Sequence, residues 1–276
     1  MTKIMVDSSC DCQEEKLHDY FQPIAVTLDG KNYFDGVDLS RSEFYELLTT
    51  SEDFPKTAQP SPQSFLDVFE QVKERGEELV YLSLSSALSG TYQTACIAKE
   101  MVDYDGIYIV DSHLATHCLH MMVLYAHQLA TSGCTGAEIA EKCSSFRDRI
   151  HVFAGLDTLE YLRRGGRIGP AAALIGDIAN IKPILTITDD GRVDSIAKAI
   201  GLGRAISTIV TKTASYEIDP HFPIWSMITV GLENSEKLEE ALAKKGIAVT
   251  RRQQVGPTVG AHLGPGLYGV IFVSKE

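Results

Sequence analysis

The chain has 276 residues, with 25 Lys plus Arg against 37 Asp plus Glu and a formal net charge of −12. Its 44% hydrophobic and 22% charged residues exclude wholesale disorder, and the acidic balance argues against a nucleic-acid partner, which clustered Lys and Arg would hold. No run approaches the ~20 apolar residues that span a bilayer, and Met1–Asp7 has no apolar stretch long enough for a secretory signal, so a cytoplasmic protein without a transmembrane segment is expected.

Strand-like and helix-like segments alternate along the chain. Lys3–Val6 and Ile24–Leu28 read as short strands. Ser40 with Glu43 forms a capping box ahead of the amphipathic Phe44–Leu48. Ser61-Pro62 places an N-cap before a proline at the first helical position and opens a helix through Arg75. Leu79–Leu84 is an apolar strand, Tyr92–Met101 a helix, Ile107–Val110 a strand and Thr116–Leu129 a helix. Thr135 with Glu138 caps a helix to about Phe146. Further strands are expected at Val152–Ala154, Pro183–Thr188, Ile224–Val230, Ile247–Thr250 and Leu267–Val273. Apolar strands alternating with helices predict an α/β fold with largely parallel sheets. So many strands suggest two domains, 1–149 and 150–276, packed closely because no Pro- or Ser-rich linker separates them.

Six cysteines, Cys10, Cys12, Cys96, Cys118, Cys134 and Cys143, include no C-x-x-C pair and read as free thiols. The spacing of Cys10 and Cys12 leaves a redox pair open. His113, His117 and His120 lack an H-E-x-x-H pattern and a completing carboxylate, so no metal site is expected.

Chemistry concentrates in four segments. Leu82–Tyr92 runs from an apolar strand through a Ser/Gly turn into a helix. The helix start and the hydroxyls of Ser85, Ser86, Ser89 and Thr91 suit a carboxylate or phosphate, or they simply cap the helix. The segment is neither a P-loop nor a nucleophile elbow. Lys56–Pro62 reads as a rigid proline-bounded turn in which Thr57 offers a hydroxyl. At Leu162–Pro170 a Gly-Gly pair displays Arg167 beside an apolar helix, Ala171–Ile178; a plain surface salt bridge is the alternative. Four glycines and two prolines between Gly256 and Gly266 predict an irregular loop built around His262. Several hydroxyls, one Arg and one His at turns suit the holding of an anionic head group better than the cleavage of a bond.

Taken in order, several stretches resemble the DegV family of bacterial lipid-binding proteins. They are Val6–Asp11, Tyr33–Asp38, Thr57–Ser61, Leu84–Gln93, Val110–Ser112, Leu162–Ile168, Lys182–Leu185 and His262–Gly266. The resemblance implies two α/β domains with a fatty acid tunnel between them. It implies no catalysis and no cofactor beyond the fatty acid itself. In FakB-type members, the binding subunits of fatty acid kinase, the carboxylate is presented to a separate ATP-dependent kinase, and the acyl phosphate feeds phospholipid synthesis. Carried over by position, Thr57 and Ser89 would donate to the carboxylate, Ser86 and Gly90 would line the same loop, and Arg167 and His262 would lie near the head group. The family commonly has small residues where this chain has Thr116–Met122, which would narrow the tunnel. Its basic stretch matches Ile196–Arg204, where the nearest basic residues are Lys198 and Arg204. The rival readings are a Ser or Cys hydrolase using Ser89 or Cys118 with His262, and a lipid carrier without a kinase.

Overall fold

The computed structural model describes residues 1–174 and 180–275. The first half begins with β1 (Lys3–Asp7), β2 (Tyr20–Gln22), β3 (Ala25–Leu28), β4 (Lys31–Phe34), α1 (Arg41–Thr50), β5 (Lys56–Ala58) and α2 (Pro62–Arg75). It continues through β6 (Leu79–Ser83), α3 (Thr91–Val102), β7 (Ile107–Asp111), α4 (Thr116–Thr131) and α5 (Gly136–Phe146). Strands β2-β1-β6-β7 form a wholly parallel sheet in that order. Alternation along each strand sends side chains to two layers. Met5, Leu79 and Tyr81 pack with Phe65 and Phe69 of α2 and Ala95 and Ala98 of α3. Ile4, Val6, Val80 and Leu82 face α4 and α5. Burial on both faces is why these strands read as continuous apolar runs.

The second half contains β8 (Ile150–Gly155), α6 (Glu160–Gly165), α7 (Pro170–Ala173), β9 (Ile181–Ile187), β10 (Val193–Ile200) and α8 (Leu202–Thr213). It ends with β11 (Trp225–Ile228), α9 (Glu233–Ala243), β12 (Arg251–Gln254), α10 (Pro257–Leu263) and β13 (Tyr268–Val273). These strands form a sheet in the order β10-β9-β8-β13-β11-β12. The α/β class is as expected, but parallel pairing is confined here to β11 and β12; every other pair is antiparallel. Two features produce this. A tight Thr188–Arg192 turn makes β9 and β10 a hairpin, which can only be antiparallel. The last strand, β13, inserts between β8 and β11 against their direction. Phe153, Tyr268, Val270 and Phe272 face Ile206 and Ile209 of α8 and Leu238 and Leu242 of α9. Val152, Ala154, Leu185 and Met227 point the other way, toward α4.

A third, antiparallel sheet, β4-β3-β5, packs with α1 and α10 around Val26, Phe44, Tyr45 and Ala261. Two expectations change here. Lys56–Ala58 is a strand rather than a turn, with Thr57 opposite Val26. The Gly/Pro-rich segment contains a helix. Pro257 sits at its first position, and Gly260 is needed because a Cβ there would lie 2.7 Å from Tyr45 Oη and 2.9 Å from Phe44 Cε1. The expected strand Ile247–Thr250 is irregular, and pairing starts at Arg251. The expected helix Ala171–Ile178 extends beyond α7 into positions that lie outside the described residues. Among the described residues no helix is long and apolar enough to cross a membrane.

Candidate functional site

Between the inner face of the six-stranded sheet and the loops of the first half lies a cavity of about 200 Å3. Val152, Ala154, Leu185 and Met227 form one wall. Leu84, Leu88, Ala115 and Cys118 form another, and Val259 and Leu263 of α10 close it. The polar groups converge from four elements: Thr57 on β5, Ser89 ahead of α3, Arg167 after α6, and His262 on α10 all line the cavity.

Ser86 does not line it. Its residue is exposed, and its amide donates to Asp111 Oδ1 at 3.0 Å. Gly90 is not in the wall either, but its missing side chain admits one that is. A Cβ there would fall 1.9 Å from Gln59 Oε1, and Gln59 lines the cavity and donates to Thr94 Oγ1 at 3.0 Å. Gln59 lies within the Thr57–Ser61 stretch that resembles the DegV family, but the sequence assigns it no role. Of the bulky segment Thr116–Met122, only Thr116 and Cys118 reach the cavity. Thr116 does so with φ at +49°, a left-handed conformation costly for a β-branched residue.

The head of the cavity is held by hydrogen bonds. His262 Nε2 lies 2.8 Å from Thr57 Oγ1, while its Nδ1 is buried against Gly165, whose absent Cβ would sit 2.3 Å away, and has no partner among the described residues. Burial, and then the nearby Arg167 guanidinium, push the imidazole down to about 4, so it is neutral at pH 7. We assign its proton to Nε2, because a buried N–H at Nδ1 would have no acceptor. Nε2–H then donates to Thr57, and the Thr57 hydroxyl hydrogen is free to donate onward. Arg167 Nε donates to Leu88 O at 3.0 Å and its Nη1 to Gly165 O. Among the described residues no carboxylate pairs with Arg167. Ser89 Oγ lies 2.8 Å from Thr91 Oγ1.

A hydrolytic triad is not assembled. Ser89 bonds Thr91 rather than His262, no carboxylate orients His262 among the described residues, and burial pushes the Cys118 thiol well above its ordinary value. Nor do His113 and His117 share a helix face, because α4 starts at Thr116 and His113 Nδ1 lies 2.8 Å from Asp189 O.

The acidic motifs stand behind the site rather than in it. Asp7 accepts from the amides of Ser9 and Leu84, at 3.0 and 2.9 Å, and from the hydroxyls of Ser9 and Tyr81. It thus fixes the start of the loop carrying Ser89. Asp11 Oδ1 accepts from Gly256 N at 3.0 Å, and Asp35 accepts from Thr258 N at 2.9 Å and from its hydroxyl. Both fix the start of α10. Ser8 Oγ joins Thr258 Oγ1 to Ile24 N.

Burial pushes Asp35 from an ordinary 3.8 up to about 6, against the hydrogen bonds from Thr258. A carboxyl held above its unfolded value contributes stability that is greatest below the unfolded value and is lost as pH rises toward the folded one. At 1.36 kcal/mol per pH unit this amounts to about 3 kcal/mol between pH 4 and 6. The stability difference between the wild type and Asp35→Asn should therefore fall across that window and flatten above it. Urea unfolding at a series of pH values measures it, and a flat difference would remove Asp35 from this role.

Comparison with known proteins agrees with this architecture. A DegV family model (uncharacterised protein, DegV family) matches residues 1–275. A DegV domain-containing protein of Caldanaerobacter subterraneus is 36% identical over 99% of this chain and 98% of its own. One from Staphylococcus aureus is 31% identical over the whole of both chains. Among solved structures, a DegV family protein from Thermus thermophilus, described by its fatty acid binding, superposes with a TM-score of 0.87 at 28% identity over 99% of each chain. DegV of Bacillus subtilis, described as a fatty acid binding protein, gives 0.83 at 25% identity, again over 99% of each. The parallel sheet, the cavity facing the six-stranded sheet and the four-cornered polar head are therefore the features of a chain that belongs to the DegV family.

Proposed function

We propose that the protein binds one long-chain fatty acid, with its tail in the apolar cavity and its carboxylate at Thr57, Ser89, Arg167 and His262. The observation that carries this reading is an apolar cavity headed by two hydroxyls and by the Arg167 guanidinium, which has no carboxylate partner among the described residues. About 15 methylenes at roughly 0.8 kcal/mol each give on the order of 12 kcal/mol of gross burial energy, from which association entropy subtracts several. The tail supplies affinity. The head supplies orientation, because a carboxylate in a partly dry site needs hydrogen bonds or it takes a proton. The fatty-acid-binding relatives from Thermus and Bacillus support the same ligand.

On this reading the chain is a carrier and not a catalyst. It acts in the cytoplasm and presents the carboxylate to a separate ATP-dependent fatty acid kinase, whose acyl phosphate product enters phospholipid synthesis. The segments 1–149 and 150–276 serve as two lobes around the ligand. The test is organic extraction of the purified full chain followed by mass spectrometry, with native mass spectrometry of stripped protein offered oleate or palmitate. One fatty acid per chain is expected. Stripped protein that takes up neither acid would overturn the reading. Acyl-phosphate formation from radiolabelled ATP by extracts supplied with the loaded protein tests the kinase step, and its absence would leave a carrier without a kinase.

A further inference from the structure

Cys10 and Cys12 take no part in the cavity, yet their arrangement is specific. Ser8–Cys10 form a single 3-10 turn, and Asp11 follows at φ 57°, in the left-handed region. In an extended chain, residues two apart stand about 6.6 Å from each other along one face. The turn folds the chain back instead, and the two sulfurs lie 3.0 Å apart. Non-bonded heavy atoms rest at about 3.5–4.0 Å and bonded sulfurs at about 2.05 Å, so this pair is inside contact distance.

The two thiols also differ in environment. Both residues are fully buried; Cys12 Sγ lies 4.0 Å from His18 Nδ1, whereas Cys10 lies near Asp7. The Cys10 contact, and then His18, bring the Cys12 thiol down to about 6, while burial pushes Cys10 well up. Cys143, equally buried but without such a neighbour, is pushed up to about 12. One acidic thiol beside one protonated thiol is the division of labour of an attacking and a resolving cysteine.

We propose that Cys10 and Cys12 form a redox-active dithiol that a small hydroperoxide converts to an intrachain disulfide, and that this change loosens the hold on α10. The Cys12 thiolate attacks the peroxide, the O–O bond breaks, and the departing oxygen leaves as an alcohol or water after taking a proton. Cys12 is then a sulfenic acid. Cys10 sulfur attacks it, the S–S bond forms, the S–O bond breaks, and hydroxide leaves as water with the Cys10 proton. Two thiols lose two electrons and the peroxide gains them.

The consequence follows from what lies inside the new ring. Asp11 is the residue enclosed by the disulfide, and its carboxylate holds Gly256 N at the entrance to α10. Ser8, two residues before Cys10, holds Thr258. Closing the ring resets the Asp11 backbone and with it the segment that carries His262. This inference does not rest on the identity of the ligand.

The experiment treats the full chain with hydrogen peroxide, alkylates under denaturing conditions, and maps peptides without reductant. The expected result is a loss of two hydrogens in the peptide holding Cys10 and Cys12 while Cys118 and Cys143 remain reduced, with reversal by dithiothreitol. In the same sample, amide exchange across 255–263 should become about tenfold faster. The proposal is overturned if Cys10 and Cys12 remain alkylatable once the partly exposed Cys96 and Cys134 are oxidised. A disulfide that leaves exchange across 255–263 unchanged overturns the coupling. Cys12→Ser should abolish both responses; should it fail to fold, mapping of the wild-type chain still decides.

Discussion

The double variant Thr57→Ala/Ser89→Ala is expected to fold and to lose its lipid. Both residues are half-buried. The protein partners they abandon, His262 Nε2 and Thr91 Oγ1, cost the fold about 1 kcal/mol each. The ligand loses more. A hydrogen bond to a charged group contributes about 1.5–3 kcal/mol, so two of them amount to at least a hundredfold in affinity by the same measure. The buried tail would still hold some lipid in freshly purified protein. The discriminating measurement is therefore occupancy by native mass spectrometry after incubation with lipid-free albumin as an acceptor, alongside the urea midpoint. Wild-type protein should retain its ligand and the double variant should release it at a nearly unchanged midpoint. Full retention by the variant would remove these hydroxyls from the head-group site.

The same residues show which features a sequence can and cannot display. Helix starts were legible because their signals are local: Ser40 with Glu43, Ser61 before Pro62 and Thr135 with Glu138 each cap the helix they predict. Buried strands were legible as apolar runs. β12 was not, because Arg251–Gln254 is a polar edge strand. The apolar Ile247 just before it suggests a strand only because it packs beneath α8 and α9. The helix α10 was hidden by its composition, since Gly260 is there for close approach to Tyr45 and Phe44 rather than for a bend.

For the site, composition marks several hydroxyls, Arg167 and His262 at turns, and the family resemblance picks Thr57 and Ser89 from among the hydroxyls. Their meeting at one cavity depends on packing between elements more than 30 positions apart in the chain. Ser86 follows the same composition rule and faces outward, because one turn of loop separates it from Ser89. The wall residues Val152, Ala154, Leu185 and Met227 look like any core positions, and only the gap in front of them marks them as a wall.

The largest loss of fold stability is expected from Asp7→Ala. Asp7 has no exposed surface, and its carboxylate accepts from two amides and two hydroxyls. It ties the end of β1 to Tyr81 on β6 and to Leu84, where the loop toward Ser89 begins. Alanine would leave these donors buried without an acceptor, at about 1–3 kcal/mol each. Removing a buried acid also returns part of its own desolvation cost, and burial here pushes the carboxyl above its ordinary 3.8. The net loss should therefore stay below the sum, at about 3–5 kcal/mol, out of a typical 5–15 kcal/mol for a folded domain. The sign of the pH dependence follows from the raised carboxyl. The stability difference between the wild type and Asp7→Ala should be largest below about pH 4 and should shrink as pH rises toward the folded value. Asp7→Asn keeps one acceptor oxygen and should fall between the two. Urea unfolding at pH 4, 5.5 and 7 reads all three chains, and a loss under about 1 kcal/mol for alanine would mean the four donors find other acceptors. Because the same carboxylate fixes Leu84, folded Asp7→Asn should also release lipid to albumin faster than the wild type, although it touches no part of the cavity.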